Sequence, residues 1–172
     1  MSDRFRELVE QNIGCAVILA GSGSDEQHVS EICAAMAKYK IPQEVRIQSA
    51  HNDSEAVMRL VRHYDNMSGA LAYITVAGGV DFLSGFVARH SLRPVISCPP
   101  DVPNDGCLGN PPLSSNMYVR NPKNVARAVA QIFSHLNSNY VDQLLKDIHD
   151  KGEELQEKDK SLKAKLSWVP EA

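Results

Sequence analysis

The feature that most restricts how this chain folds is an alternation along its length: apolar runs of strand size are separated by longer segments of helical period. Such alternation describes repeated βα units around a parallel sheet, because parallel neighbours need a crossover that returns over the sheet and covers its face. Five runs predict strands: Cys15 to Ala20, Gln43 to Gln48, Ala70 to Val76, Pro94 to Cys98 and Asn116 to Arg120. Between them, Asp25 to Tyr39, Ser54 to Met67 and a shorter Leu83 to Ser91 have the length for right-handed crossover helices.

Helix starts are marked by capping chemistry. Ser24 with Gln27, and Asn52 with Glu55, fit a side-chain cap whose third-position partner folds back onto the free amides. Asn121 followed by Pro122 predicts another helix, running to Leu136. The stretch from Cys98 to Asn116 holds five prolines and two glycines, which predicts a long loop serving as a pocket wall or lid. Beyond it, Asn139 to about Lys165 reads as a long helix. Val141, Ile148, Leu155, Leu162 and Val169 recur every seven residues there, a stripe too narrow for a core. It suits contact with a neighbouring subunit, and a solvated surface helix fits it about as well. The expected division is a domain over residues 1–138 and a helical extension over 139–172.

Composition narrows the function classes. With 172 residues and 43% hydrophobic side chains, one globular domain with a sizeable core is expected. Eighteen Lys and Arg against 21 Asp and Glu give a net charge of −3, so no basic excess is available for nucleic acid or an anionic membrane. No signal-peptide or transmembrane pattern is present, and a cytoplasmic location is expected. Cys15, Cys33, Cys98 and Cys107 are scattered without a CxxC pair, which fits reduced thiols and predicts no metal site.

Three strand ends carry the candidate chemistry. The first runs into Gly21-Ser22-Gly23-Ser24-Asp25, small residues at a helix start, where free amides and hydroxyls favour an anion such as phosphate. A third fingerprint glycine would be needed where Glu26 stands, so a dinucleotide motif is not met, and no Walker lysine is present. The second strand ends in Ser49-Ala50-His51-Asn52. This places His51 at the edge where open α/β sheets bind ligands, with a side chain that exchanges protons near neutral pH. The third ends in Ala77-Gly78-Gly79-Val80-Asp81, whose glycines let backbone approach a substrate and whose Asp81 is read mainly as a helix cap. Cys98 is read as a buried inert thiol. His28, His63, His135 and His149 are read as helical, and His90 as near a helix end.

Taken in order and spacing, AGSGSD, VRIQSAH, ITVAGG, LSGFVA and VISCPP resemble the catalytic core of the aminoimidazole ribonucleotide carboxylase and mutase (PurE-like) family of purine biosynthesis, from about Ile13 to Ile132. The details are more similar to the class that uses carbon dioxide directly than to the N5-carboxyaminoimidazole ribonucleotide mutases. The resemblance implies a flavodoxin-like three-layer α/β/α sandwich and a homo-octamer whose C-terminal helices reach across subunits. It also implies a reaction with no metal or organic cofactor, in which a ribonucleotide and carbon dioxide are joined. By position, His51 is the general acid/base. Gly21, Ser22, Ser24, Asp25, Ser49, Ala50 and Asn52 fall at ribose and phosphate positions, Ala77, Gly78 and Gly79 line the carboxylate pocket, and Leu83 and Ser84 complete the substrate-binding set.

The chain departs from the family pattern in three places. Asn52 stands where the family has Arg or Lys after SAH, which removes a cation from the phosphate position. The stretch Ala77 to Asp81 matches neither the AGRSN of the carbon-dioxide-using class nor the AGAGGAAH of the mutases. The loop after Pro100 aligns as shortened, or else Ser114-Ser115 takes the place of the family's SSL element. The competing readings are the mutase and a diverged paralogue that binds a nucleotide without this reaction.

Overall fold

In a computed structural model, residues 2–168 are described and form a five-stranded parallel sheet in the order β2-β1-β3-β4-β5. The strands are β1 (Cys15–Ala20), β2 (Gln43–Ile47), β3 (Leu71–Val76), β4 (Val95–Ser97) and β5 (Met117–Tyr118), and the helices are α1 (Asp3–Glu10), α2 (Glu26–Lys38), α3 (Ser54–Asp65), α4 (Phe82–His90), α5 (Pro122–Phe133) and α6 (Ser138–Leu166). This is the flavodoxin-like α/β fold with a long C-terminal helix, and its strand order reverses between β1 and β3.

The sequence explains the layers. CAVILA and LAYITV are buried at every position because both faces of the central strands are covered, so neither alternates with polar residues. Their register pairs Ile18 with Ile74 and Ala20 with Val76, which brings the two strand ends level. On one face α2 and α5 bury Ile32, Met36, Val125, Val129 and Phe133; on the other α1, α3 and α4 bury Phe5, Val57, Tyr64 and Val87. The edge strand β2 leaves Val45 and Ile47 exposed, and β5 is only two residues long, as edge strands often are.

Four local expectations are corrected. The chain opens with a helix, α1, which the sequence reading did not include; its signal was a Ser2 cap, which accepts from the Phe5 amide, with Phe5 and Val9 one turn apart. The caps assigned to Ser24 and Asn52 are not made by those residues: α2 opens from Asp25, which makes no side-chain capping bond, and the α3 cap belongs to the next residue. Asp53 caps α3 by accepting from the Ala56 amide, while Ser22 accepts from the Ser24 amide in a short 3-10 turn, Gly23–Asp25, that precedes α2. His135 lies in the turn between α5 and α6. The Asn121 cap and Pro122 stand as read.

The Pro-rich stretch is a loop broken by one 3-10 turn, Gly106–Gly109. It is seated on α4 through Gly85, where an added Cβ would lie 2.3 Å from Asn110 Oδ1; Asn110 Nδ2 donates to Asn116 Oδ1 at 2.7 Å. The helix α6 is tied to the body over its first third, as far as Asp147. Tyr140 is fully buried and donates to Gly14 O at 2.6 Å, whereas Val141, Ile148, Leu155 and Leu162 of the stripe are exposed. Val169 lies outside the described residues.

Candidate active site

Three loops converge at the carboxyl ends of β1, β2 and β3. The Gly21 amide donates to Val76 O at 2.8 Å, joining the ends of β1 and β3, and the Gln48 amide donates to Ala20 O at 2.9 Å, joining β2 to β1. The sequence motifs at these ends are therefore neighbours along one edge, at the point of strand-order reversal where such sheets form their ligand crevice.

On the first loop, Ser22 and Ser24 hold their hydroxyls 2.8 Å apart, and Ser24 Oγ donates to Asp25 Oδ1 at 3.4 Å. Both serines are exposed, at the mouth of the turn that opens α2. On the second, residues 50–52 form a turn closed by the Asp53 amide on Ser49 O at 2.9 Å. That turn presents His51 and Asn52 to solvent and buries Ala50 beneath them. The His51 ring rests against Phe82, with centroids 5.0 Å apart.

On the third loop Gly78 and Gly79 are exposed, and Gly79 adopts φ +66°, a conformation that disfavours any side chain. The Gly79 amide is already engaged: it donates to Asp101 Oδ2 at 2.9 Å, and Asn104 Nδ2 donates to Asp101 Oδ1 at 2.7 Å. These two hydrogen bonds hold the Asp101 carboxyl below the usual carboxylate range. A carboxylate from the Pro-rich loop thus sits on the amide that the sequence reading reserved for substrate.

Asp81 caps α4 from a left-handed conformation, φ +46°, accepting from the Ser84 amide at 3.1 Å and from Ser97 Oγ at 2.5 Å. Burial pushes its carboxyl above the ordinary range even though these donors pull the other way. Leu83 and Ser84, assigned to substrate by position, are buried, and Ser84 Oγ donates to Asp81 O. They support the crevice from below: an added Cβ on Gly21 would meet Leu83 at 3.9 Å. Ala77 is likewise almost wholly buried. The exposed surface therefore comes from Ser22, Ser24, His51, Asn52, Gly78 and Gly79, with Gly21, Asp25 and Ser49 half-buried beside them.

The remaining candidates separate cleanly from the crevice. Cys98 is fully buried and its thiol is pushed up to about 12 by burial, so it is no nucleophile at neutral pH. His28 Nε2 lies 3.2 Å from Cys98 O and 3.3 Å from its Sγ. Arg93 donates to Gly69 O at 2.5 Å and to Met67 O, at the opposite edge of the sheet. Arg89, in the last turn of the helix that runs back from the crevice, is also remote from it. Neither stands in for a cation at Asn52. A concavity of about 1430 Å³ lies along α2 and α5 and is lined by His28, Lys38, Arg120, Lys123 and Arg127 among others; the sequence reading did not include it, since it is assembled from two distant helices and a loop. Among the described residues, the one cluster with metal-ligand spacing is His149, Asp150 and Glu153, fully in solvent on α6, where exposed acidic groups commonly occur without an ion.

A family model described as AIR carboxylase matches residues 15–154. The chain is 32% identical over 155 residues to a phosphoribosylaminoimidazole carboxylase of Treponema denticola, with 86% of this chain and 96% of that one covered. It is 38% identical over 82 residues to an N5-carboxyaminoimidazole ribonucleotide mutase of Mycobacterium tuberculosis, covering 48% and 47% of the two. The crystal structure of Treponema denticola PurE matches with a TM-score of 0.80 at 30% identity, covering 90% of this chain and 99% of that one.

Proposed function

Because this chain belongs to the AIR carboxylase family, we propose that it joins carbon dioxide to 5-aminoimidazole ribonucleotide, reversibly giving 4-carboxy-5-aminoimidazole ribonucleotide, with His51 as the general acid/base. The observation that carries this reading is the convergence of GSGSD, SAH and AGG at one strand-end edge with the His51 imidazole exposed among them.

The chemistry follows from the groups present. The ring carbon next to the amino-bearing carbon is enamine-like and attacks the carbon of carbon dioxide; the C–C bond forms while one C=O electron pair moves to oxygen. His51 then removes the proton left on that ring carbon, restoring aromaticity, and returns it in the reverse direction. Ser22 and Ser24 hydroxyls with the amides of the 3-10 turn receive the phosphate and ribose, Asp25 accepts from ribose hydroxyls, and Ser49, Ala50 and Asn52 complete that wall. The Ala77 to Gly79 backbone borders the carboxylate, with Leu83 and Ser84 beneath. Bringing the two reactants into contact at the edge is mainly a proximity effect.

As part of the same reading, the protein works as a cytoplasmic homo-oligomer, an octamer by family expectation, in which the exposed stripe of α6 packs on a neighbouring subunit. The mutase is the second reading, favoured by the match to the Mycobacterium tuberculosis protein.

The test follows the ultraviolet absorbance of 4-carboxy-5-aminoimidazole ribonucleotide as purified protein decarboxylates it. His51→Asn is expected to reduce turnover by about 10²- to 10⁴-fold. Forward turnover that depends on added bicarbonate supports the carboxylase, and turnover of the N-carboxylated substrate without it supports the mutase. An assembled, unmodified protein that turns over neither substrate sinks both.

A further inference from the structure

We propose that Phe82 is the residue that orients His51, a role that rests on His51 being the proton carrier. Among the described residues the imidazole has no hydrogen bond and no ion pair, and its aromatic contact is Phe82, with ring centroids 5.0 Å apart and planes inclined at 42°. An exposed imidazole without such a contact would rotate freely about both side-chain bonds.

Phe82 is placed to do this. It is the first residue of α4, and the Asp81 just before it is bonded to β4 through Ser97 Oγ, so the backbone beneath the ring is fixed to the sheet. The ring also meets Phe86, centroids 5.8 Å apart, and Phe86 is half-buried against the core. The Phe82 ring is thus held by a partly buried neighbour as well as by its fixed backbone. At 44% exposed it is not a core side chain. The kind of contact also matters. A carboxylate or carbonyl on one ring nitrogen would select a tautomer and occupy that nitrogen. A ring-to-ring contact sets the direction of the imidazole and leaves both nitrogens free, which is what a group that takes a proton and gives it back requires.

The experiment compares Phe82→Leu and Phe82→Tyr in the full chain. It measures kcat and KM for decarboxylation together with the His51 ring-proton NMR signals, identified by their loss in His51→Asn. Phe82→Leu keeps apolar bulk without a ring. It is expected to lower kcat by about 2- to 12-fold at unchanged KM, the range for losing one aromatic pair, and to move the His51 signals as the ring-current field disappears. Phe82→Tyr is expected to restore both. His51 signals that stay in place in Phe82→Leu overturn the proposal, including the case where kcat falls together with a change in assembly mass, since Phe82 would then be a subunit contact. Absence of turnover in the unmodified protein sinks the proposed function instead; the His51 signals still decide whether Phe82 sets the ring.

Discussion

The strand-end crevice and the groove along α2 and α5 lie on the same molecule and are built by opposite means. The crevice is made largely of small residues whose backbone is held by bonds between distant segments, such as Gly21 to Val76 and Gly79 to Asp101. The groove is voluminous and walled by long charged side chains, and its strongest contacts serve to fasten α6: Asp147 accepts from Lys38 at 2.6 Å and from the Tyr39 hydroxyl. Size alone would point to the groove. Proton-transfer chemistry, small residues and the reversal of strand order point to the crevice, and the difference teaches that a site is recognised by what its groups do at close range.

The comparison can be broken by filling the space on which each region depends. Gly85→Ala places a Cβ where Asn110 packs, and is expected to destabilise the protein by about 1–3 kcal/mol, as overpacking does. Gly109→Ala in the same loop meets open space and is the control, expected to leave the urea midpoint in place. Equal losses in the two variants would show that the Asn110 contact does not anchor the loop.

A smaller effect is expected on ligand affinity in the crevice. Asn52→Lys restores a cation beside the serine hydroxyls, and 5-aminoimidazole ribonucleotide should bind about tenfold more tightly by calorimetry, roughly the strength of one charged hydrogen bond. The gain should shrink as salt is raised. Affinity that does not move would place Asn52 away from the phosphate.

The smallest effect belongs to the groove. Burial alone would raise the Asp147 carboxyl, but hydrogen bonds from Lys38 and Tyr39 outweigh it and hold the group below the ordinary carboxylate range. A depressed folded-state value means that the contribution to stability is present above the unfolded-state value and is lost as pH falls through the folded one. Asp147→Asn should therefore cost about 1 kcal/mol or less near neutral pH, since Lys38 is largely exposed and screened, and progressively less as pH falls through the folded-state value. Decarboxylation rate should not change. A variant that loses turnover without losing stability would make the groove part of the catalytic machinery.

Much of this architecture was legible in the residues. β1 was read with its observed ends, and the other four strands within a residue or two, because continuous apolar runs bounded by Gly, Pro and Asn are a local signal. The Asn121 cap was equally local. The α3 cap slipped by one residue and the expected α2 cap is not formed, because Ser22, Ser24, Asn52 and Asp53 all have capping side chains, and only the backbone path decides which one reaches a free amide. α1 has three apolar residues, Phe5, Leu8 and Val9, in a helix of eight, too short a pattern to stand out until it is seen packed into the core cluster beside Tyr64. At the site, His51 and the two glycine-bearing loops were legible, whereas Phe82 was not: a Phe opening a helix reads as core, and its exposure is visible only in three dimensions.

By itself, then, the sequence determined which segments are strands, which are crossovers and which strand ends carry reactive or small residues, because periodicity and turn chemistry act over a few neighbouring positions. The tertiary structure alone decided that Asp101 occupies the Gly79 amide, that Leu83 and Ser84 lie beneath the crevice rather than in it, and that His51 lies against Phe82. Those are contacts between segments far apart in the chain. Their existence depends on how the sheet and helices pack, which no local pattern specifies.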